Sequence, residues 1–256
     1  MHWTGTWTTS SASIDGAMVE NQTLRMLVRT SIAGEVLRVR LSNAHGTEPI
    51  TIATATIALR KGEAALIQAE SLRNLTFGGE NLISYISPPG DYSASADMPV
   101  GEAIESWYFL TCIEVMSAPS TRGIVAMGDS LTDANVSTPN TNNRWPDQLA
   151  RRLVATRGPN FAGVMNQGIG GNRICYDGQA DNGQKRFDRD VLAQPGVTHL
   201  LLLLGTNDLR NRRGAWHQEA QSSAMIAGLK QMGMRAKAAG LKAYVGTLMP
   251  LSLIHI

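Results

Sequence analysis

Three short segments of the chain carry groups that acyl transfer could use. Ser130 stands in Gly128-Asp129-Ser130-Leu131, Gly171 in Asn166-Gln167-Gly168-Ile169-Gly170-Gly171-Asn172, and Asn207 in Gly205-Thr206-Asn207-Asp208. A serine oxygen can attack a carbonyl, glycine-rich turns free backbone N–H groups, and a side-chain amide can donate to a developing oxyanion. Singly, each segment has an ordinary reading: Gly-Asp-Ser is common turn composition, a glycine cluster makes a tight turn, and an asparagine at a strand end bonds backbone. Nucleotide loops are excluded, because the glycine cluster lacks the third glycine of the dinucleotide fingerprint and no Gly-Lys-Ser/Thr phosphate loop occurs. What gives the segments joint meaning is that each follows an apolar run.

Those runs predict the elements that position them. Gly123-Ile124-Val125-Ala126-Met127 is uniformly apolar, as a parallel strand covered on both faces must be. Pro146 fits a first helical turn, and Leu149, Leu153 and Val154 continue an apolar stripe to about Arg157. A strand is expected at 161–166, a helix at 186–193, a strand at 199–204, a long helix at 219–239 closing on Gly240, and a strand at 243–248. This alternation predicts an α/β fold with a doubly wound parallel sheet, in which ligands sit beyond the carboxyl ends of the strands.

The first half of the chain reads differently. From Thr23 to Val115 apolar and polar residues alternate, most clearly at 36–41 and 51–59, with further short strands expected at 24–31, 72–77 and 107–115. A β-sandwich-like domain over 1–118 is the expectation, with a linker at Ser117-Ala118-Pro119-Ser120 and the α/β domain over 119–256. Residues 1–122 hold 8 basic and 12 acidic side chains against 15 and 9 in 123–256, which also suggests two modules. The whole 256-residue chain carries a formal charge of only +2, too balanced for a nucleic-acid surface, and no apolar run is long enough to span a membrane. Cys112 and Cys175 fit two unrelated buried thiols or a single disulfide, and no signal peptide is legible at the N-terminus. A metal-dependent hydrolase would need a ligand cluster that the spacing of His, Asp and Glu does not provide, so neither metal nor cofactor is expected.

The three segments together resemble the conserved blocks of the SGNH hydrolases, the GDSL esterase and lipase superfamily. That resemblance implies a flavodoxin-like sheet, Ser130 as nucleophile, and an oxyanion hole made by the Ser130 N–H, the Gly171 N–H and the Asn207 amide. Trp3-Thr4-Gly5-Thr6-Trp7, Val39-Arg40-Leu41-Ser42-Asn43, Arg144-Trp145-Pro146-Asp147 and Phe187-Asp188-Arg189-Asp190-Val191-Leu192 are similar to a bacterial subfamily with a β-rich N-terminal domain. The subfamily implies export and esters, acetylated carbohydrates among them, as substrates.

The superfamily completes its site with an Asp-x-x-His block, in which histidine is the base and aspartate orients it. The histidines here are His2, His45, His199, His217 and His255, and none has an aspartate three residues before it. His199 is expected to be structural and His217 to be solvated. Thr247-Leu248-Met249-Pro250 resembles the fourth sheet strand of the family, so the chain is expected to stop before the base, leaving Val245 and Leu248 more exposed than usual and activity weak or absent. Asp129, Asp133 and Asp208 lie near the site in sequence, but a carboxylate of ordinary pKa is a poor base toward serine. The alternative is a non-catalytic carbohydrate- or partner-binding protein on a hydrolase scaffold.

Overall fold

The structure, a computed structural model, describes the chain except residues 13–19, 63–65, 78–79, 82–88, 102–106, 135–136, 139–140, 179, 211–214 and 250–256. In chain order the strands and helices are β1 (His2–Thr8), β2 (Leu37–Leu41), β3 (Ala55–Ile57), β4 (Arg73–Phe77), β5 (Glu80–Asn81), β6 (Leu110–Ser117), β7 (Arg122–Gly128), α1 (Ser130–Asp133), α2 (Trp145–Arg157), β8 (Ala162–Gly168), α3 (Gly183–Phe187), β9 (Val197–Leu203), α4 (Thr206–Arg210), α5 (Ala215–Ala238) and β10 (Lys242–Val245). A π-helical turn, Asp188–Leu192, continues α3.

Four strands form the parallel sheet in the order β10-β9-β7-β8. The first of them in sequence, β7, is central, and the chain steps from it first to one side and then to the other. Right-handed crossovers then carry the helices of the two directions to opposite faces, which is the doubly wound arrangement. Val125, Met127, Met165, Leu200 and Leu202 from the strands pack with Phe187, Val191, Met225, Met232 and Ala236 from the helices, all of them buried. Burying one such large side chain is worth about 1.5–3 kcal/mol. The expected elements over 123–248 are present with shifted ends. Strand β10 stops at Val245, and the helix expected from Arg186 begins at Gly183, where Asn182 accepts from the N–H groups of Gln184 and Lys185. Val245 is 53% exposed, while Leu248 is half-buried.

The β-rich first half does not follow a linear boundary at 118/119. One compact unit comprises Met1–Ser13, Thr30–Arg40 and Thr111–Ile256, the other Ile14–Arg29 and Leu41–Leu110. The first unit contains β1 and most of β6, which pair antiparallel, with β2 on the far side of β6, as well as the parallel sheet. Strand β1, unforeseen in the sequence, buries Thr4, Thr6 and Thr8 rather than an apolar face. Their hydroxyls are satisfied by the Ser117 hydroxyl at 2.6 Å, the Ile32 carbonyl at 2.8 Å and the Asn166 carbonyl at 3.0 Å. Close approach explains the glycines where β1 meets β8, because a Cβ at Gly5 would collide with the Met165 side chain and one at Gly163 with the Gly5 carbonyl oxygen.

The second unit holds a sheet in the order β3-β4-β5. The long strand expected at 51–59 is only Ala55–Ile57, and none forms at 24–31. Small alanines at alternate positions bury too little side chain to extend the pairing. Buried Thr23 instead ties its segment to a loop, donating to the Gly90 carbonyl at 3.0 Å and accepting from the Tyr92 N–H at 3.0 Å.

Cys112 and Cys175 are unpaired thiols, and burial, reinforced by Glu114, pushes the Cys112 thiol up to about 12. Glu114, 1% exposed on β6, accepts from Arg38 Nε at 2.6 Å and Arg40 Nη2 at 2.7 Å. Both arginines are nearly half-exposed and can be rehydrated, so Glu114→Ala should cost about 1–3 kcal/mol rather than the larger penalty of stranding a buried charge. Urea unfolding of the variant checks this, and an unchanged midpoint would show that the clamp contributes nothing.

Candidate active site

All three candidate residues lie just beyond the carboxyl ends of neighbouring parallel strands. In register, Gly128 at the end of β7 pairs with Gly168 of β8 and Leu203 of β9, so the three exits are level. Ser130 opens α1 and is half-buried, Gly171 is exposed in the turn after β8, and half-buried Asn207 lies in the first turn of α4. Directly after β7 the chain makes a single helical turn, α1. Asp129 nucleates it by accepting the Leu131 N–H at 2.9 Å from the N-cap position. Glycine is needed on both sides of that turn: a Cβ at Gly128 would lie 2.1 Å from Thr132 Oγ1, and one at Gly168 would lie 2.2 Å from the Asp133 backbone nitrogen. Gly171 has φ +70°, a left-handed conformation that glycine adopts without strain.

Hydrogen bonds knit the three turns together. The Ile169 N–H donates to the Gly128 carbonyl at 3.2 Å, linking the Ser130 and Gly171 turns. The Asn207 amide Nδ2 donates to the Asn172 carbonyl at 3.0 Å, linking the Gly171 and Asn207 turns. Asp208, 2% exposed, accepts from the N–H groups of Ile174 at 2.8 Å and Cys175 at 3.1 Å.

Arg186, which sequence reasoning did not single out, lies beneath this rim with 1% exposure. Its Nη2 donates to the Gly128 carbonyl at 2.8 Å, its Nη1 to the Gln167 carbonyl at 2.9 Å, and its Nε to Asn172 Oδ1 at 3.0 Å. Asp190, one turn on along the π-helical segment, balances the charge at 2.9 Å. The signal in the sequence was an arginine and an aspartate four apart, but within the charged run Lys185-Arg186-Phe187-Asp188-Arg189-Asp190 nothing marks Arg186 as the buried one.

The nearby carboxyls are not ordinary. Burial raises Asp129, Asp133 and Asp208 above the usual carboxylate range, opposed by the N–H of Leu131 at Asp129, by Arg144 at Asp133, and by the N–H groups of Ile174 and Cys175 at Asp208. Those partners engage both oxygens of Asp208 and one each of Asp129 and Asp133. Asp129 Oδ2 is buried with no hydrogen-bond partner among the described residues. An acid whose pKa is higher in the folded than in the unfolded chain binds more protons when folded, so its contribution to stability falls as pH rises from 3.8 toward the raised value. Asp129→Asn removes one such group and retains an oxygen for Leu131. Relative to the parent, the variant should therefore gain stability as pH rises from about 4 to 7. Urea midpoints across that range test it, and parallel curves would refute it.

His199 lies in β9 opposite Ile124, four residues and about 13 Å before the strand end. Its Nδ1 is 2.8 Å from the Thr198 hydroxyl, and burial, with Lys242 and Arg122, lowers its pKa. His2 pairs with Ser117 at the start of β1, and His45 lies in a turn of the second unit. His217 is in the first turns of α5 with its side chain outside the described residues, as is the whole of His255.

Residues 126–253, half of the chain, match the model of the GDSL-like lipase/acylhydrolase family. Curated proteins yield no match. Among solved structures, a G-D-S-L family protein from Desulfitobacterium hafniense is 24% identical, with TM-score 0.36, over 48% of this chain and 57% of that one. Axe2, an acetylxylan esterase from Geobacillus stearothermophilus, is 19% identical, with TM-score 0.37, over 48% of this chain and 58% of that one. The chain thus spans less than two thirds of the length of these structures. No helix among the described residues is long and apolar enough to cross a membrane.

Proposed function

This chain belongs to the GDSL-like lipase/acylhydrolase family, and on that premise we propose that it is a serine esterase in which Ser130 attacks the ester carbonyl. The observation that carries the reading is the level alignment of three strand exits bearing Ser130, Gly171 and Asn207, tied turn to turn by hydrogen bonds. In the reaction the Ser130 oxygen bonds to the carbonyl carbon while its proton passes to a base. The carbonyl oxygen, now an anion, is received by the N–H groups of Ser130 and Gly171 and by the Asn207 amide. Collapse expels the alcohol, which takes up a proton, and water then releases the acid from the acyl-serine.

The general base is not assigned to a described histidine, since His199 is spent within its strand and no Asp-x-x-His occurs in the sequence. That absence favours weak turnover by the 256-residue chain, and it is the observation on which the alternative, a non-catalytic carbohydrate- or partner-binding protein, rests. Acetylated carbohydrates extend the substrate reading through the subfamily-like segments noted above, as does export. The discriminating experiment compares acetate release from p-nitrophenyl acetate and from acetylated xylooligosaccharides by the parent chain and Ser130→Ala. Turnover lost with Ser130 supports the esterase, with the ratio of the two substrates reporting the alcohol preference. Equal rates in both proteins overturn it in favour of the binding protein.

A further inference from the structure

We propose that Arg186 is the positioning residue of this site, holding the nucleophile turn and the oxyanion turn in register from below. The inference rests on the esterase reading and adds to it a residue that touches neither substrate nor reacting atom. A fully buried guanidinium is costly, and apolar packing of similar volume is often as stable. What Arg186 does that an apolar side chain cannot is to hold three backbone or side-chain acceptors at fixed separations. The Gly128 carbonyl is two residues before Ser130, the Gln167 carbonyl lies one residue before the end of β8, and Asn172 Oδ1 belongs to the residue after Gly171. The Asn172 carbonyl in turn accepts the Asn207 amide, so one planar cation sets, directly or through one residue, the place of all three candidate groups.

Ser10 and Asp190 complete the shell around the guanidinium, with Ser10 Oγ 3.0 Å from Nη1 and Asp190 Oδ2 2.9 Å from it. Arg189 also donates to Asp190, through Nε at 2.6 Å, which keeps that carboxylate from reorienting. Arg186 lies in α3 and Asp190 within the π-helical turn, Asp188–Leu192, that continues it, so the helix widens where the pair is made. Lysine could keep the charge at 186 but offers one nitrogen in place of three, so it cannot span Gly128, Gln167 and Asn172 together.

The test compares Arg186→Lys, Asn172→Ala and, as a control for lost stability alone, Val191→Ala, a fully buried core residue on the same helical segment. A misplacement of reacting groups on the order of 1 Å costs about 100-fold. The Ser130-dependent kcat for p-nitrophenyl acetate, measured with imidazole present, should therefore fall by about 10- to 100-fold in Arg186→Lys and in Asn172→Ala, with KM changed less than about twofold. Val191→Ala should lower the melting temperature and leave kcat within a few-fold. Amide resonances of Ser130 and Gly171 and the side-chain amide of Asn207 should move in Arg186→Lys but not in Val191→Ala. Equal kcat losses in Val191→Ala and Arg186→Lys, or unmoved rim resonances, would overturn the proposal. If Arg186→Lys does not fold, Asn172→Ala decides by the same criteria. A parent chain without Ser130-dependent turnover even in the presence of imidazole refutes the esterase reading separately and leaves the resonances to decide this one.

Discussion

Hydrolysis of p-nitrophenyl acetate by the 256-residue chain should be slow, should vanish in Ser130→Ala, and should rise when imidazole is added. A serine hydroxyl is almost wholly protonated at neutral pH, and removing the base of a serine hydrolase costs about a million-fold in kcat. What an oxyanion hole and substrate binding retain without the base is about 10³- to 10⁴-fold over water. The raised carboxyls beside the site do not fill the gap, because Asp129 and Asp208 are held by backbone N–H groups and Asp133 faces Arg144. Imidazole supplies a proton acceptor in neutral form, so the Ser130-dependent rate should climb with pH through about 6.5–7, where that form predominates. The rate with Ser130→Ala gives the blank for imidazole's own attack on the ester. Full esterase rates without imidazole, abolished by Ser130→Ala, would show that the chain carries its own base, and His217→Ala is the first variant to make.

The α/β half was legible because its signals are local. The apolar runs at 123–127 and 199–204 are strands, Pro146 opens a helix, and the three polar segments fall where strand exits must be. Long-range pairing was not legible, and β1 is the clearest case. Its buried face is threonine, satisfied by partners as distant in sequence as Asn166, so neither apolar alternation nor any local cue marks it as a strand. For the same reason a linear boundary near 118 misses that β1 and most of β6 belong with the parallel sheet. Alternation alone likewise overstated the strand at 51–59, where alanines leave little to pack. Of the site, residue types and order could be read. The hub at Arg186 could not, since its acceptors are spread from Ser10 to Asp190 and only folding brings them to one guanidinium.

Replacing Asn207 should separate the oxyanion role from the structural one. In Asn207→Ala the amide donor disappears, and loss of a single side-chain donor of this kind costs about 10²- to 10³-fold in kcat. Because the bond strengthens as charge develops on the carbonyl oxygen, KM should stay near its parent value. The same amide also holds the Asn172 carbonyl at 3.0 Å, so a stability loss of about 0.5–1.5 kcal/mol should accompany the kinetic one. Asn207→Asp is the sharper variant. It keeps the shape of the side chain, removes both N–H groups, and turns a carboxylate toward the Asn172 carbonyl and the incipient oxyanion, beside the buried carboxyl of Asp208. Its Ser130-dependent rate, measured with imidazole present, should fall at least as far as that of Asn207→Ala. Part of the loss should return as pH drops and the new carboxyl takes up a proton, since a neutral acid can donate where a carboxylate can only repel. A change of less than about twofold in kcat for Asn207→Ala would remove Asn207 from the oxyanion hole and leave it as the clasp between two turns.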